Sequence, residues 1–348
     1  MHNIQLDRRT FASFAALSAI SAVAPALWAQ SRLEKTKIAI AVGGKAAFYY
    51  LPLTIAEQLG YFKAEGLEVE ISDFAGGSRA LQAVVGGSAD VVSGAYEHTI
   101  NLQSKGQKFQ AFVLQGRAPA ISMGVSLKTM PKYRSVPDLK GKKIGISAPG
   151  SSTNMVAKLI LSRAGLKAED VSFIGVGTAA GALTAFHSGQ IDAMCNVDPV
   201  MTMLEQRGEV RIIADTRTMK GTIEVFGGVM PAGCLYAPLE FVQKNPNTVQ
   251  ALTNAMVHSL KWLQTAGPSD IIKTVPEAYL LGDRALYLAS FNKVREAIST
   301  DGMIPDEGPR TAVKVLASFD PAIKVDKIEL AKTYSNEFAR KAKARFKA

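Results

Sequence analysis

The sequence predicts an α/β protein built from two similar lobes joined by two crossing strands, with a helical C-terminal region. Three observations lead there. Short apolar runs alternate with helical patterns over most of the chain, which is the order of a parallel sheet covered by helices. That order occurs twice, about a hundred residues apart. After Pro238 the pattern is almost wholly helical. The length of 348 residues suits two domains. With 47% hydrophobic and 20% charged residues the chain can fill a sizeable core, which excludes a disordered or low-complexity protein.

In the first pass, Lys37–Val42 reads as a strand that ends at Gly43-Gly44. A helix follows, with Pro52 near its start and Gly60 at its stop. Leu67–Ile71 is a strand, Gly76-Gly77-Ser78 a turn, Arg79–Val85 a helix and Asp90–Ser93 a strand. In the second pass, Lys143–Ser147 is a strand closed by Pro149-Gly150, and Asn154–Ala164 is helical. Val171–Val176, the turn Gly177-Thr178, the helix Ala179–His187 and the strand Asp192–Cys195 complete it. One stretch aligns without gaps: Val69 meets Val171, Ala80 meets Ala182, Leu81 meets Leu183, Gly87 meets Gly189 and Asp90 meets Asp192. Ala118–Leu127 and Gly227–Pro238 are partly β-like and are placed as the two crossing strands. Helices over 239–265, 269–278, 283–300, 308–318 and 326–345 pack on the first lobe. Lobe one is then discontinuous, residues 30–118 plus 229–348, and lobe two is the insertion 119–228.

Residues 1–29 read as an address rather than as fold. Arg8-Arg9-Thr10-Phe11 precedes an Ala/Ser-rich apolar stretch, Phe14–Val23, and a small-residue end at Ala24–Ala29. The paired arginines, with Phe two places on, predict a twin-arginine signal removed after about Ala29, and hence a periplasmic protein. No later apolar run approaches the ~18 residues of a membrane span. The net charge of +10 is spread along the chain. Its densest cluster, Arg340 to Lys347, reads as a solvated helix end rather than a nucleic-acid surface. Two cysteines, Cys195 and Cys234, exclude a disulfide scaffold and any multi-cysteine metal site. With only four histidines, no metal and no cofactor is expected. An oxidising compartment leaves the pairing of the two cysteines open.

Ligands of open α/β sheets bind beyond the carboxyl ends of the strands, and clefts between domains are favoured sites. The loops so placed are Gly43–Tyr50, Gly76–Ser78 and Ser93–Glu97 in lobe one, and Pro149–Asn154, Gly177–Ala179 and Cys195–Pro199 in lobe two. Ser78 reads as the N-cap of a helix beginning at Arg79, and Ser151, Ser152 and Thr153 precede another. Such helix starts either cap themselves or hold an anion. Phe48, Tyr49 and Tyr96 supply aromatic walls for an organic ligand. Lys45 either meets an anion or is solvated. Glu97 and Asp198 suit a donor group, or pair with Lys45 or Arg117.

These segments resemble a family. Ile55–Val69, Ala80–Ala83 with Gly87–Val91, Val136–Gly145 and Ser188–Ala193 are similar to the signatures of periplasmic solute-binding proteins for nitrate, sulfonates, taurine and thiamine precursors. The resemblance covers about residues 35–340. It implies a type II periplasmic binding protein fold, a non-enzyme that closes on one small molecule. The partners it implies are the inner-membrane permease and ATPase of an ABC importer, with no nucleic acid, and the protein acts as a monomer. Carried over residue by residue, the ligand positions are Phe48, Tyr49, Ser78, Tyr96, Ser151, Ser152, Thr153, Thr178 and Asp198, to which Lys45 and Glu97 are added from their loops. An organic anion, a sulfonate or carboxylate, is the first expectation, because of the helix starts and Lys45. A thiamine-precursor-like pyrimidine is second, because of the aromatics with Glu97 and Asp198, and nitrate or bicarbonate is third. The rival is a desulfinase-like enzyme on the same fold, with Cys195 as nucleophile and His187 eight residues before it.

Overall fold

The computed structural model describes residues 32–348; the expected export signal, residues 1–29, lies outside them. The chain opens with β1 (Lys37–Gly43), α1 (Leu51–Gln58), α2 (Tyr61–Ala64), β2 (Glu68–Phe74), α3 (Gly77–Val85), β3 (Val91–Ala95), α4 (Glu97–Ser104) and β4 (Phe109–Leu114). It continues with β5 (Ile121–Ser126), β6 (Lys143–Ile146), α5 (Ser152–Arg163), β7 (Ser172–Gly175), α6 (Ala180–His187), β8 (Ala193–Val197), α7 (Val200–Gln206), β9 (Val210–Asp215) and α8 (Met219–Phe226). β10 (Gly233–Pro238) leads into six helices, α9 (Leu239–Lys244), α10 (Pro246–Thr265), α11 (Pro268–Thr274), α12 (Arg284–Val294), α13 (Gly308–Ala317) and α14 (Glu337–Phe346). Among the described residues no helix is long and apolar enough to cross a membrane.

The strands form two five-stranded sheets, ordered β2-β1-β3-β10-β4 and β7-β6-β8-β5-β9. The two orders are one arrangement made twice. Three parallel strands come first, then an antiparallel strand delivered from the other side of the molecule, then an edge strand. Each sheet with its helices makes a lobe. β1 is buried along most of its length because sheet neighbours and helices cover it on all sides: Ile38, Ile40, Ala41 and Val42 are each at most 2% exposed. That explains an apolar run without alternation.

The residues that align between the two passes do the same work in each. Asp90 Oδ2 accepts the Ala39 amide at 3.0 Å, and Asp192 Oδ2 accepts the Lys143 amide at 3.0 Å. Each carboxylate therefore ties the start of a third strand to its neighbour. Gly87 and Gly189 follow α3 and α6 with φ of +78° and +74°, the left-handed geometry that ends a helix and that glycine adopts without cost.

The strands placed at the crossing, β5 and β10, begin just after it. The crossing itself is made by residues 115–120 and 227–232, and its two passages are bonded together. Gly116 N donates to Gly233 O at 3.0 Å, and Ala232 N donates to Gly116 O at 2.9 Å. Three further differences have local causes. β4 and β9 stand where the sequence reading assigned nothing. The helix expected over 239–265 breaks at Asn245, because Pro246 lacks the amide needed to continue it and starts α10 instead. The helix expected over 326–345 begins only at Glu337. Before it, Ala111 N donates to Thr333 O, and Ser335 N to Ala111 O, so this stretch is spent on bridging β4.

Gly87→Ala and Gly189→Ala are each expected to lower the unfolding free energy by about 1–2 kcal/mol, the cost of a side chain in the left-handed region. Nothing lies within 4 Å of a Cβ at Gly87, so the effect there is conformational alone. Urea denaturation of the two variants measures it.

Candidate ligand-binding site

The carboxyl ends of β1, β3, β6 and β8 face one another across the seam between the lobes. The seam is closed. Ser78 N donates to Ser151 Oγ at 3.1 Å, and Ser78 Oγ donates to Pro149 O at 2.8 Å. Phe48 N donates to Asp198 O at 3.0 Å. Glycine makes this approach possible. A Cβ on Gly44, whose φ is +95°, would stand 2.1 Å from Thr178 Oγ1, and one on Gly76 would stand 2.7 Å from Ala148 Cβ. The seam encloses a cavity of about 20 Å³, lined by Tyr49, Tyr50, Ser151, Ser152, Thr153 and Thr178 among others. That is room for about one water.

Of the eleven residues singled out from the sequence, the structure brings Tyr49, Ser151, Ser152, Thr153 and Thr178 to the cavity wall. Ser78 stands at its rim, bonded across the seam. It is not an N-cap: α3 starts one residue earlier, and Gly76 holds the cap position in extended geometry. Glu97 is 2% exposed, and its charge acts on Tyr49, Tyr50 and Tyr236. Four side chains are directed elsewhere. Lys45 is held by Glu57 at 2.6 Å. The Phe48 ring packs on Tyr287, 4.5 Å between centroids, as part of the helical core. Tyr96 Oη bonds Thr333 Oγ1 at 2.6 Å, fully buried on the side of the C-terminal segment. Asp198 Oδ1 accepts the amide of Thr202 in the first turn of α7 at 2.6 Å, so this residue meets the seam through its carbonyl. Burial pushes the Asp198 carboxyl above its ordinary range, against the pull of Arg217.

Three residues escaped the sequence reading. His98 Nδ1 lies 2.9 Å from Tyr236 Oη, while its Nε2 has no partner. Burial pushes this imidazole below its ordinary range; the Glu97 charge and the Gly150 backbone oppose the shift. Asn154 Oδ1 accepts the Gly150 amide at 3.0 Å, which leaves Nδ2 unpartnered. Gln115 Nε2 donates to Ser93 Oγ at 2.9 Å, and its Oε1 is unpartnered. His98 adjoins Glu97 in sequence, and Asn154 ends the Ser-Ser-Thr run, so both were within reach of the loops already marked. Tyr49 Oη and Glu97 Oε1 likewise have no hydrogen-bond partner among the described residues.

The enzymatic alternative finds no support at Cys195. Both cysteines are free and buried. Cys195 is 0% exposed inside β8, and burial pushes its thiol far up. His187 is on the surface, 2.8 Å from Glu209. Nucleophile and base do not meet. Among the described residues no group of three or more metal-ligating side chains occurs.

A family model described as NMT1/THI5 like matches residues 47–268. The chain belongs to this family. A solved protein from Bordetella bronchiseptica RB50 is 61% identical and superposes with a TM-score of 0.90, covering 91% of this chain and 100% of that one. The alkanesulfonate-binding protein of Xanthomonas axonopodis pv. citri, solved with MOPS bound, superposes at 0.67 with 18% identity, covering 88% and 100%. At that identity it shows the fold, a periplasmic binding protein fold. A putative binding protein of Bacillus subtilis strain 168 is 22% identical over 251 residues, 72% of each chain.

The lobes of this NMT1/THI5-like protein also meet outside the cavity. Arg217, 3% exposed, donates to Asp215 and Glu205 and stands 3.7 Å from Asp198. Lys293 reaches from α12 to Glu205 Oε2 at 2.8 Å, so a helix of the C-terminal region is fastened to the second lobe. Burial alone would raise Glu205 and Asp215. Hydrogen bonds from Lys293 and Arg217 to Glu205, and from Arg217 to Asp215, outweigh it, and both carboxyls sit below their ordinary values of 4.5 and 3.8. Lowered carboxyls stabilise the fold above their unfolded values, and the contribution is lost as pH falls through the folded ones. Arg217→Met is expected to cost about 2 kcal/mol at pH 7, with the gap from wild type narrowing below pH ~4. Urea midpoints of both proteins at pH 7 and pH 3.5 measure it.

Proposed function

We propose that the chain is the solute-binding component of an ABC importer. Residues 1–29 export it to the periplasm by the twin-arginine route. There it captures one small organic molecule between lobe one, residues 30–118 plus 229–348, and lobe two, residues 119–228. The closed form is then presented to an inner-membrane permease driven by its ATPase. Tyr49, Glu97, Ser151, Ser152, Thr153 and Thr178 contact the ligand, joined by His98 and Asn154.

The observation that carries this reading is the chemistry of the seam. Buried polar atoms are nearly always hydrogen-bonded. Here Tyr49 Oη, Glu97 Oε1 and His98 Nε2 from one lobe, and Asn154 Nδ2 from the other, are buried and make no well-formed hydrogen bond among the described residues, although Tyr49 lies beside the Ser152 side chain and His98 beside the Gly150 backbone. A seam made only for rigidity would satisfy them. A seam that takes up a polar molecule leaves them for it. Binding then needs no reaction: the ligand bridges both lobes and shifts the open–closed balance by its preference for the closed form. The likeness to the alkanesulfonate-binding protein supports the same use of the same fold.

Thermal unfolding of the purified, ligand-stripped chain against sulfonates, taurine, carboxylates, pyrimidines, nitrate and bicarbonate tests it. A true ligand at 100 times its Kd adds about 2.7 kcal/mol of stability. Gly76→Val is the companion variant, since its side chain would stand in the seam against Ala148 while φ stays extended. It is expected to unfold like the wild type without ligand and to lose at least tenfold in affinity, because the lobes no longer meet. Unchanged affinity in that variant overturns capture by closure.

A further inference from the structure

We infer that an ion-pair latch outside the cleft, Lys293 of α12 on Glu205 of α7, holds the two lobes together and sets how much of the ligand-free protein is closed. It rests on the capture reading only in taking closure as the working motion.

Lys293 belongs to lobe one and Glu205 to lobe two, and Nζ stands 2.8 Å from Oε2. The pair lies on the cleft side of the crossing. α12 carries Tyr287 and Phe291, whose rings hold Phe48 at 4.5 and 6.0 Å between centroids. The Phe48 amide is the group that donates across the seam to Asp198 O. α7 begins at Val200, two residues after Asp198. One helix from each lobe therefore backs the same seam contact, and the ion pair joins the two helices behind it. A rotation that parts Phe48 from Asp198 draws α12 away from α7 and breaks the pair.

Lobe two holds the acid ready. Arg217, 3% exposed, donates to Glu205 Oε2 at 2.9 Å and to Thr202 Oγ1 at 3.0 Å, and it is bonded to Asp215 as well. Glu205 is thus fixed in place by its own lobe, and Lys293 closes onto a partner that has little freedom left to lose. The Asp215 charge also feels Lys293. A lone surface ion pair contributes little. Here the lysine meets a cluster tied to a buried arginine, and it is the member that arrives from the other lobe. Among the described residues Lys293 has no other ion-pair partner, so opening leaves it unpaired. Beside the pair, Met219 at the start of α8 packs into the apolar cluster of Phe48, Tyr287 and Phe291. The latch therefore has an apolar flank that keeps water from one side of it.

Spin labels on Gln82→Cys in α3 and Thr184→Cys in α6 test this by pulsed dipolar distance measurement on the ligand-stripped full chain. Both positions are exposed, both helices start at the seam, one in each lobe, and the native cysteines are buried. The labelled parent is expected to populate the short, closed distance. Lys293→Met is expected to lower its closed-to-open ratio about fivefold and Lys293→Glu further, while Lys293→Arg keeps it within about twofold. The Lys293 side chain is 37% exposed, so these variants keep the fold. Lys220→Met, which breaks an ion pair inside lobe two, is expected to leave the distances as they are. A Lys293→Met distribution that matches the parent or moves toward the closed distance overturns the latch. So does a parent found only in the open form, and so does an equal shift with Lys220→Met. None of these results involves a ligand, so each would leave capture standing.

Discussion

Two passages of chain, residues 115–120 and 227–232, lie side by side between the lobes and are bonded to each other through Gly116, Ala232 and Gly233. Much else depends on that double passage. The first delivers β5 into the second sheet and the second returns β10 to the first, and each arriving strand is inserted between two others. Neither sheet can therefore shift its register without moving the crossing. The crossing is only two passages wide, which is the kind of connection about which capture by closure, as proposed, would turn. The rigid sheets fix where the loops stand, and the crossing decides whether the loops of one lobe touch those of the other.

The electrostatics of the seam are not those of the whole chain. The net charge is +10, yet among the described residues no lysine or arginine lines the cavity. Two of the basic residues nearest the seam are tied to acids, in the Arg217 cluster and the Lys45–Glu57 pair. Net charge describes the long-range field and solubility of the protein. What a buried site binds is decided by the few groups within contact distance, where the low dielectric magnifies each of them.

Much of the scaffold was readable from residue order. β1, β3, β6 and β8 follow from apolar runs closed by glycine or the next turn, and the repeat follows from Gly87/Gly189 and Asp90/Asp192, whose roles are local. β4 and β9 were missed because they lie beyond the aligned units, at the edges of the two sheets. The site was legible as loops and less so as side chains. Tyr96 stands in one of these loops with its hydroxyl directed away from the cavity, because Thr333, more than two hundred residues later, supplies its partner. Phe48 is likewise claimed by Tyr287 and Phe291. Side-chain direction in these loops is set by what the C-terminal helices bring against them, and no spacing rule near Tyr96 or Phe48 encodes that. His98 and Asn154 carry no motif; they become visible only as atoms left without partners.

The strand exchange has a consequence for how the protein is made. All five strands of the second sheet lie between Ile121 and Asp215, a contiguous stretch, whereas the first sheet lacks an interior strand until Gly233–Pro238 has been synthesised. On a chain that emerges from its N-terminus, the lobe encoded second can complete its hydrogen bonding first. The lobe encoded first must wait with β3 and β4 unjoined, two apolar edges held open for more than a hundred residues of synthesis. The interval between Leu114 and Gly233 is thus the period in which this chain is most exposed to mispairing, and the one in which a holding chaperone would have most to cover.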